Sequence, residues 1–196
     1  MKIAVLGTGQ VGQTIGERLF RLGHEVTLGS RDPGSKGHLT VPILTYAEAT
    51  SQADWIINAL PGEAALAILG ACQTDGKILI DLGNYDHAVD QPITRPLGQA
   101  IQDAFPEARV VKTLNSVSAH LMAEPSALDA PHSVFIASND ATAKLDVTAW
   151  LQSLGWSDII DLGDLHACRA MEQLIPLWMA LERQIGGPAF NLRVVR

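Results

Sequence analysis

Gly7-Thr8-Gly9-Gln10-Val11-Gly12 is a G-x-G-x-x-G hexapeptide between an apolar run, Lys2 to Leu6, and an amphipathic stretch, Gln10 to Leu22. A strand closed by such a loop and followed by a helix suits the pyrophosphate of a dinucleotide. Gly7 allows the tight turn, Gly9 lets the backbone approach the phosphates, and Gly12 permits close helix–strand packing. The helix start adds free N–H donors and a positive dipole end beside Thr8, Gln10 and Val11. The end of the second strand decides between the two nicotinamide dinucleotides. NAD calls for an acidic side chain about 20 residues past the loop, to hold the ribose hydroxyls. The chain reads Leu28-Gly29-Ser30-Arg31-Asp32 there. A hydroxyl and a planar cation suit the 2′-phosphate of NADP, with Lys36 as a second cation, and Asp32 is expected to turn away or cap Arg31.

Ligands of open α/β sheets lie beyond the carboxyl ends of the strands. Two more strand ends are therefore cofactor candidates, Ala59-Leu60-Pro61-Gly62 and Asp81-Leu82-Gly83-Asn84. Ala59, Leu60 and Pro61 would pack on the ribose or nicotinamide, and Asn84 would offer an amide hydrogen bond. No catalytic residue stands out. The only tyrosines, Tyr46 and Tyr85, have no lysine four residues on, so a Tyr/Lys proton relay is missing. There is no G-x-S-x-G elbow, and the six histidines form no metal-binding spacing. Hydride exchange with a flavin-like ring needs little proton chemistry, because positioning supplies most of the catalysis. Thr113-Leu114-Asn115-Ser116-Val117-Ser118-Ala119-His120 is the candidate loop for that second ring.

The elements that must position these residues follow from the hydropathy rhythm. Runs at 2–6, 25–28, 41–44, 55–60, 77–81, 109–113, 134–137 and 158–161 read as strands, the third at an edge because of Pro42. Helical stretches fall at 10–22, 63–71, 97–105 and 140–154, the last with Asn139 as N-cap and Gly155 as stop. Continuous apolar strands separated by helices imply a doubly wound α/β Rossmann fold, with a mostly parallel sheet of about eight strands. Residues 164–196 form a C-terminal helix and tail, with Met171, Leu174, Ile175, Trp178 and Leu181 on one face and a kink at Pro176. The chain has 196 residues, which implies one dinucleotide-binding domain over 1–196 and leaves no room for a separate substrate domain.

Composition sets the remaining bounds. With 47% hydrophobic and 18% charged residues the chain is globular, and a net charge of −7 without Lys/Arg blocks argues against a nucleic-acid surface. Cys72 and Cys168 are expected to be reduced and buried, as in a cytoplasmic protein. No apolar run reaches the ~20 residues of a membrane span, and the glycines after Leu6 do not read as a signal peptide.

Beyond the glycine loop, the chain resembles the NADP-dependent oxidoreductases that reduce the deazaflavin coenzyme of archaea and actinobacteria. It is equally similar to the cytosolic reductase domain of six-transmembrane ferric reductases. The resemblance rests on Gly29-Ser30-Arg31 with Lys36, on Lys112-Thr113-Leu114-Asn115-Ser116-Val117-Ser118-Ala119, and on Asp161-Leu162-Gly163-Asp164-Leu165 followed by Arg169, Glu172 and Leu174-Ile175-Pro176-Leu177-Trp178. It implies that Thr8, Gln10, Val11, Ser30, Arg31 and Lys36 bind NADP. Asn115, Val117 and Ser118 would border the nicotinamide and the second ring, with Pro176 across the gap. Asn115 matches the ferric-reductase domains, so an ordinary flavin stays open beside a deazaflavin as the small-molecule redox acceptor. An NADP-binding redox sensor without turnover also remains open. The apolar tail with Trp178 and Phe190 calls for a partner surface and hence a homodimer.

Overall fold

The computed structural model describes residues 1–35, 39–87 and 93–196, and one eight-stranded sheet runs through them. Its strands are β1 (Lys2–Leu6), β2 (Glu25–Ser30), β3 (Ile43–Thr45), β4 (Trp55–Asn58), β5 (Ile78–Asp81), β6 (Arg109–Thr113), β7 (Ser133–Ser138) and β8 (Asp158–Asp161), in the order β3-β2-β1-β4-β5-β6-β7-β8. The chain moves outward from β1 to β3, then returns to lay β4 on the other side of β1. That reversal opens a crevice at the carboxyl ends of β1 and β4. Strands β1 to β6 are parallel, whereas β7 is antiparallel to β6 and parallel to β8. The last two strands thus run opposite to the rest, a reversal that hydrophobicity alone does not encode.

Alternate residues of each buried strand feed two separate cores, as a period of two demands. Ile3, Val5, Ile57, Ile80 and Val111 face α1 (Gln10–Arg21), α5 (Ala119–Ala123) and α6 (Ala141–Leu154). Ala4, Leu6, Ile56, Leu79 and Val110 face α2 (Tyr46–Gln52), α3 (Gly62–Leu69) and α4 (Leu97–Ala104). Helix α2 escapes sequence detection because only Ala49 and Thr50 are buried in it; a Thr45–Glu48 capping box starts it instead.

The tail departs from expectation. Instead of one kinked helix there is a 3₁₀ turn at Leu165–Ala167, then α7 (Cys168–Glu172) and a separate α8 (Ile175–Ile185). Pro176 lies in the first turn of α8, where its missing N–H has no carbonyl to serve, so it opens a helix rather than bending one. Met171 is 1% exposed, whereas α8 has no buried residue. Among the described residues no helix is long and apolar enough to cross a membrane.

The N-cap of α6 is Asp140, not Asn139. Its Oδ1 accepts from the Ala143 N–H at 2.8 Å, while Asn139 accepts from the Leu165 N–H. Arg109 Nε donates to Asp140 Oδ2 at 2.7 Å, and that bond, helped by the Ala143 amide, lowers the carboxyl pKa to about 2. A depressed pKa means that the stabilisation is complete above the unfolded carboxyl range and is lost as pH falls through the folded value. Asp140→Ala should cost about 1–2 kcal/mol at neutral pH. In urea unfolding, the gap to the wild type should close as pH drops from about 5 to about 2.

Candidate functional site

At the carboxyl edge of the sheet the glycine loop has the shape that a pyrophosphate requires. Gly7 has φ +117°, and a Cβ there would stand 2.7 Å from the Ala59 carbonyl oxygen. A Cβ on Gly12 would come within 2.0 Å of the Gly7 carbonyl oxygen, so glycine is what allows α1 to start this close to β1. Above Gly9 nothing lies within 4 Å of the Cβ direction. The first turn of α1 has no side-chain cap and no acidic residue, which leaves its N–H groups and dipole for an incoming anion. At the end of β2, Ser30 is buried and its Oγ accepts from the Asp32 N–H at 3.2 Å. Arg31 is exposed beside it. Lys36 lies outside the described residues.

The next two strand ends touch each other. The Gly62 N–H donates to the Asn84 carbonyl at 3.0 Å, and a Cβ on Gly62 would collide with that oxygen at 2.7 Å. Leu60 is buried, Ala59 half-buried and Pro61 exposed at the start of α3. Asn84 and Asn115 form a reciprocal clamp. Asn84 Nδ2 donates to the Asn115 carbonyl at 2.8 Å, and Asn115 Nδ2 donates to Asn84 Oδ1 at 3.0 Å. Asn115 Nδ2 also reaches the Met171 carbonyl at 2.9 Å, which ties the loop after β6 to the tail.

These two amides, expected to face ligands, therefore spend most of their donors on fixing the loops. Leu114 precedes Asn115 at φ +59°, an unusual conformation for a side chain with a Cγ. Val117 is buried, and the Ser118 hydroxyl donates to the Pro188 carbonyl rather than capping α5. The tail residue that meets Asn115 is Met171, whereas Pro176 is exposed at the start of α8. Arg169 and Glu172 take different partners: Arg169 donates to the Thr94 carbonyl, while Glu172 turns inward.

Under the loops lies a polar row whose members stand apart in the sequence motifs and meet only in the fold. Asn58, Asp81 and Lys112 are in register on β4, β5 and β6 and are all fully buried. Asp81 Oδ1 accepts from Asn58 Nδ2 at 2.8 Å and from the Gly83 N–H at 3.0 Å. Lys112 Nζ donates to Asp81 Oδ2 at 2.8 Å and to the Gly83 carbonyl, and stands 3.2 Å from Glu172 Oε1. Glu172 also accepts from the Leu97 and Gly98 N–H groups at 2.9 and 3.2 Å. It thereby caps α4, whose own Pro96 has no side-chain acceptor to offer. Burial alone would pull the Lys112 ammonium down, but Asp81 and then Glu172 hold it above its ordinary value. Burial also pushes the adjacent Cys168 thiol up to about 12, so it stays neutral and unreactive. A sequence signal for the row existed: three apolar strands each turn polar at the same height, as Ile57-Asn58, Ile80-Asp81 and Val111-Lys112.

Comparison with known proteins places this edge in a family. A sequence profile described as NADP oxidoreductase, coenzyme F420-dependent, matches residues 2–85. The F420-dependent NADP reductase of Methanothermobacter marburgensis is 30% identical, with 92% of each chain covered. The chain belongs to the family of F420-dependent NADP reductases. A solved structure of a candidate F420-dependent NADP-reductase from Arthrobacter sp. FB24 agrees, at 40% identity, a TM-score of 0.93 and full coverage of both chains. The human metalloreductase STEAP2 is 28% identical over 88% of this chain, but the chain spans only 35% of that protein's length. Both resemblances read from the sequence are thus found.

Removing Lys112 would leave two carboxylates facing each other in a dry interior. Breaking such a buried pair costs on the order of 3–5 kcal/mol. Lys112→Met should show that loss in denaturant unfolding, far above the ~1 kcal/mol expected from the exposed Arg95–Asp103 pair.

Proposed function

We propose that the chain is an NADPH-dependent oxidoreductase that moves hydride between NADP(H) and a flavin or deazaflavin ring. Arg31, exposed at the end of β2 beside the buried Ser30 and level with the glycine loop, is the observation that carries the reading. Its guanidinium suits a 2′-phosphate, and Lys36 is assigned as a second cation. Thr8, Gly9, Gln10 and Val11 would hold the pyrophosphate with the start of α1. Ala59, Leu60 and Pro61 would flank the nicotinamide ribose, with Asn84 and Asn115 setting the floor beneath the ring.

When bound, NADPH supplies the hydride. What the protein adds is orientation and the exclusion of water, since the described edge offers no Tyr/Lys proton relay. A hollow of about 100 Å³ beside Glu172, lined in part by Tyr85, Ile93 and Arg169, is too small for a tricyclic ring. The acceptor is therefore assigned to the side of the loop that carries Val117 and Ser118, below the exposed Pro176. Exposed Leu177 and Ile185 on α8 support a second copy as the cover of this surface, in a single-domain subunit working in the cytoplasm.

Three measurements test the reading. Arg31→Ala should weaken NADPH binding at least ten-fold while changing NADH binding less than two-fold; equal losses would refute the 2′-phosphate role. NADPH oxidation should be seen with a deazaflavin or a flavin. Tight NADPH binding with no turnover on any of deazaflavin, flavins or ferric chelates would instead identify a sensor. Light scattering should give twice the 21.0 kDa chain mass, and a clean monomer would remove the dimer.

A further inference from the structure

The cluster beneath the loops carries a formal charge that does not cancel. Every contact given above for Asp81 and Glu172 comes from a donor: Asn58, Gly83 and Lys112 for one, Leu97, Gly98 and Lys112 for the other. That is the surrounding of two carboxylates. One ammonium stands against them, and the neighbouring Cys168 is a neutral thiol, so the sum is −1 in a site with almost no exposure. The amide groups at the start of α4 make this charge tolerable without cancelling it. The charge also hangs directly from the cofactor turns. Asn58 Oδ1 accepts from the Leu60 N–H at 3.3 Å, and the Gly83 N–H and carbonyl are held by Asp81 and Lys112.

A half-buried side chain placed to sense the field is Tyr85, next to Asn84 in sequence. Its hydroxyl pKa is raised, first by burial and then by the nearby carboxylates Glu172, Asp81 and Glu63, with Lys112 pulling the other way. With two carboxylates to one ammonium, the cluster sets a net negative charge beneath the surface that carries the cofactor turns.

The geometry points to a redox role for that charge: Asp81, Lys112 and Glu172 together favour the oxidised, cationic nicotinamide over the neutral reduced one at this edge. NADPH becomes positively charged at the ring when it gives up a hydride and its electron pair. A buried negative charge below the ring lowers the free energy of that product relative to the reactant, and so promotes donation to the acceptor. Glu172 contributes without touching the cofactor; it is a positioning residue for charge. Since α7 supplies it, the tail both fixes the loop through Met171 and sets the field through Glu172.

The inference rests on the NADP reading, and its test separates the two. Dissociation constants for NADP⁺ and NADPH are measured by titration on the wild type, Glu172→Gln and Asp81→Asn, with circular dichroism as the check on fold. Either substitution removes one negative charge at nearly constant shape. A unit charge acting across about 10 Å of protein shifts an equilibrium on the order of ten-fold. The ratio Kd(NADP⁺)/Kd(NADPH) should therefore rise by about that factor, whereas a purely structural loss weakens both nucleotides and leaves the ratio in place. A ratio unmoved within two-fold in a variant that still binds both overturns the inference alone. A wild type that binds neither nucleotide overturns the NADP reading and the inference with it.

A second readout needs no cofactor. In a Tyr46→Phe background, the Tyr85 hydroxyl followed by ultraviolet absorbance should titrate at lower pH once Glu172→Gln is introduced. An unchanged Tyr85 titration would show that the cluster has no net field there and would sink the idea.

Discussion

One lysine shared by two buried carboxylates is the constraint on which the working edge of this protein depends. Charges out of water are tolerated only with full hydrogen bonding, and here the bonding partners are the loops themselves. Asp81 shapes the turn after β5 through Gly83, Asn58 shapes the turn after β4 through Leu60, and Glu172 fixes the start of α4. The Asn84–Asn115 clamp and the Met171 carbonyl complete the circuit above. Solvating the charges thus demands the same loop geometry that a flat cofactor demands.

Close packing serves the same end. Gly98 faces Cys168 so tightly that a Cβ would come within 2.7 Å of its sulfur, which brings α7 against α4 and Glu172 within reach of Lys112. Gly62 plays the matching part between the turns after β4 and β5. In both places an absent side chain lets backbone or sulfur approach a polar network.

What could be read from the sequence follows the physics of each feature. The glycine loop, the Ser30-Arg31 pair and all eight strands were legible, because periodicity and turn chemistry are local properties. The reversal of β7 and β8 was not, because strand direction depends on pairing partners far along the chain. Pro176 reads as a kink because nothing local in the sequence shows that the preceding helix stops at Glu172. Asn115 and Ser118 stand out in the sequence as candidates to face a ligand, whereas in the structure their side chains hold the tail at Met171 and Pro188. Lys112 was visible only as part of a motif; its partners lie 31 and 60 positions away, beyond any local pattern.

The reach of Glu172 has a consequence for how the chain is made. Its bonds to Leu97 and Gly98 span 75 and 74 residues, and it joins a cluster whose other members are synthesised long before it. A nascent chain that has just finished β6 holds Lys112 and Asp81 but not the carboxylate that caps α4. The parallel half of the sheet can assemble during synthesis, while its ligand edge matures only after the last helices leave the ribosome. A shortened product lacking α7 would keep its glycine loop and most of its core, yet emerge with α4 uncapped and the loop after β6 untied from the tail.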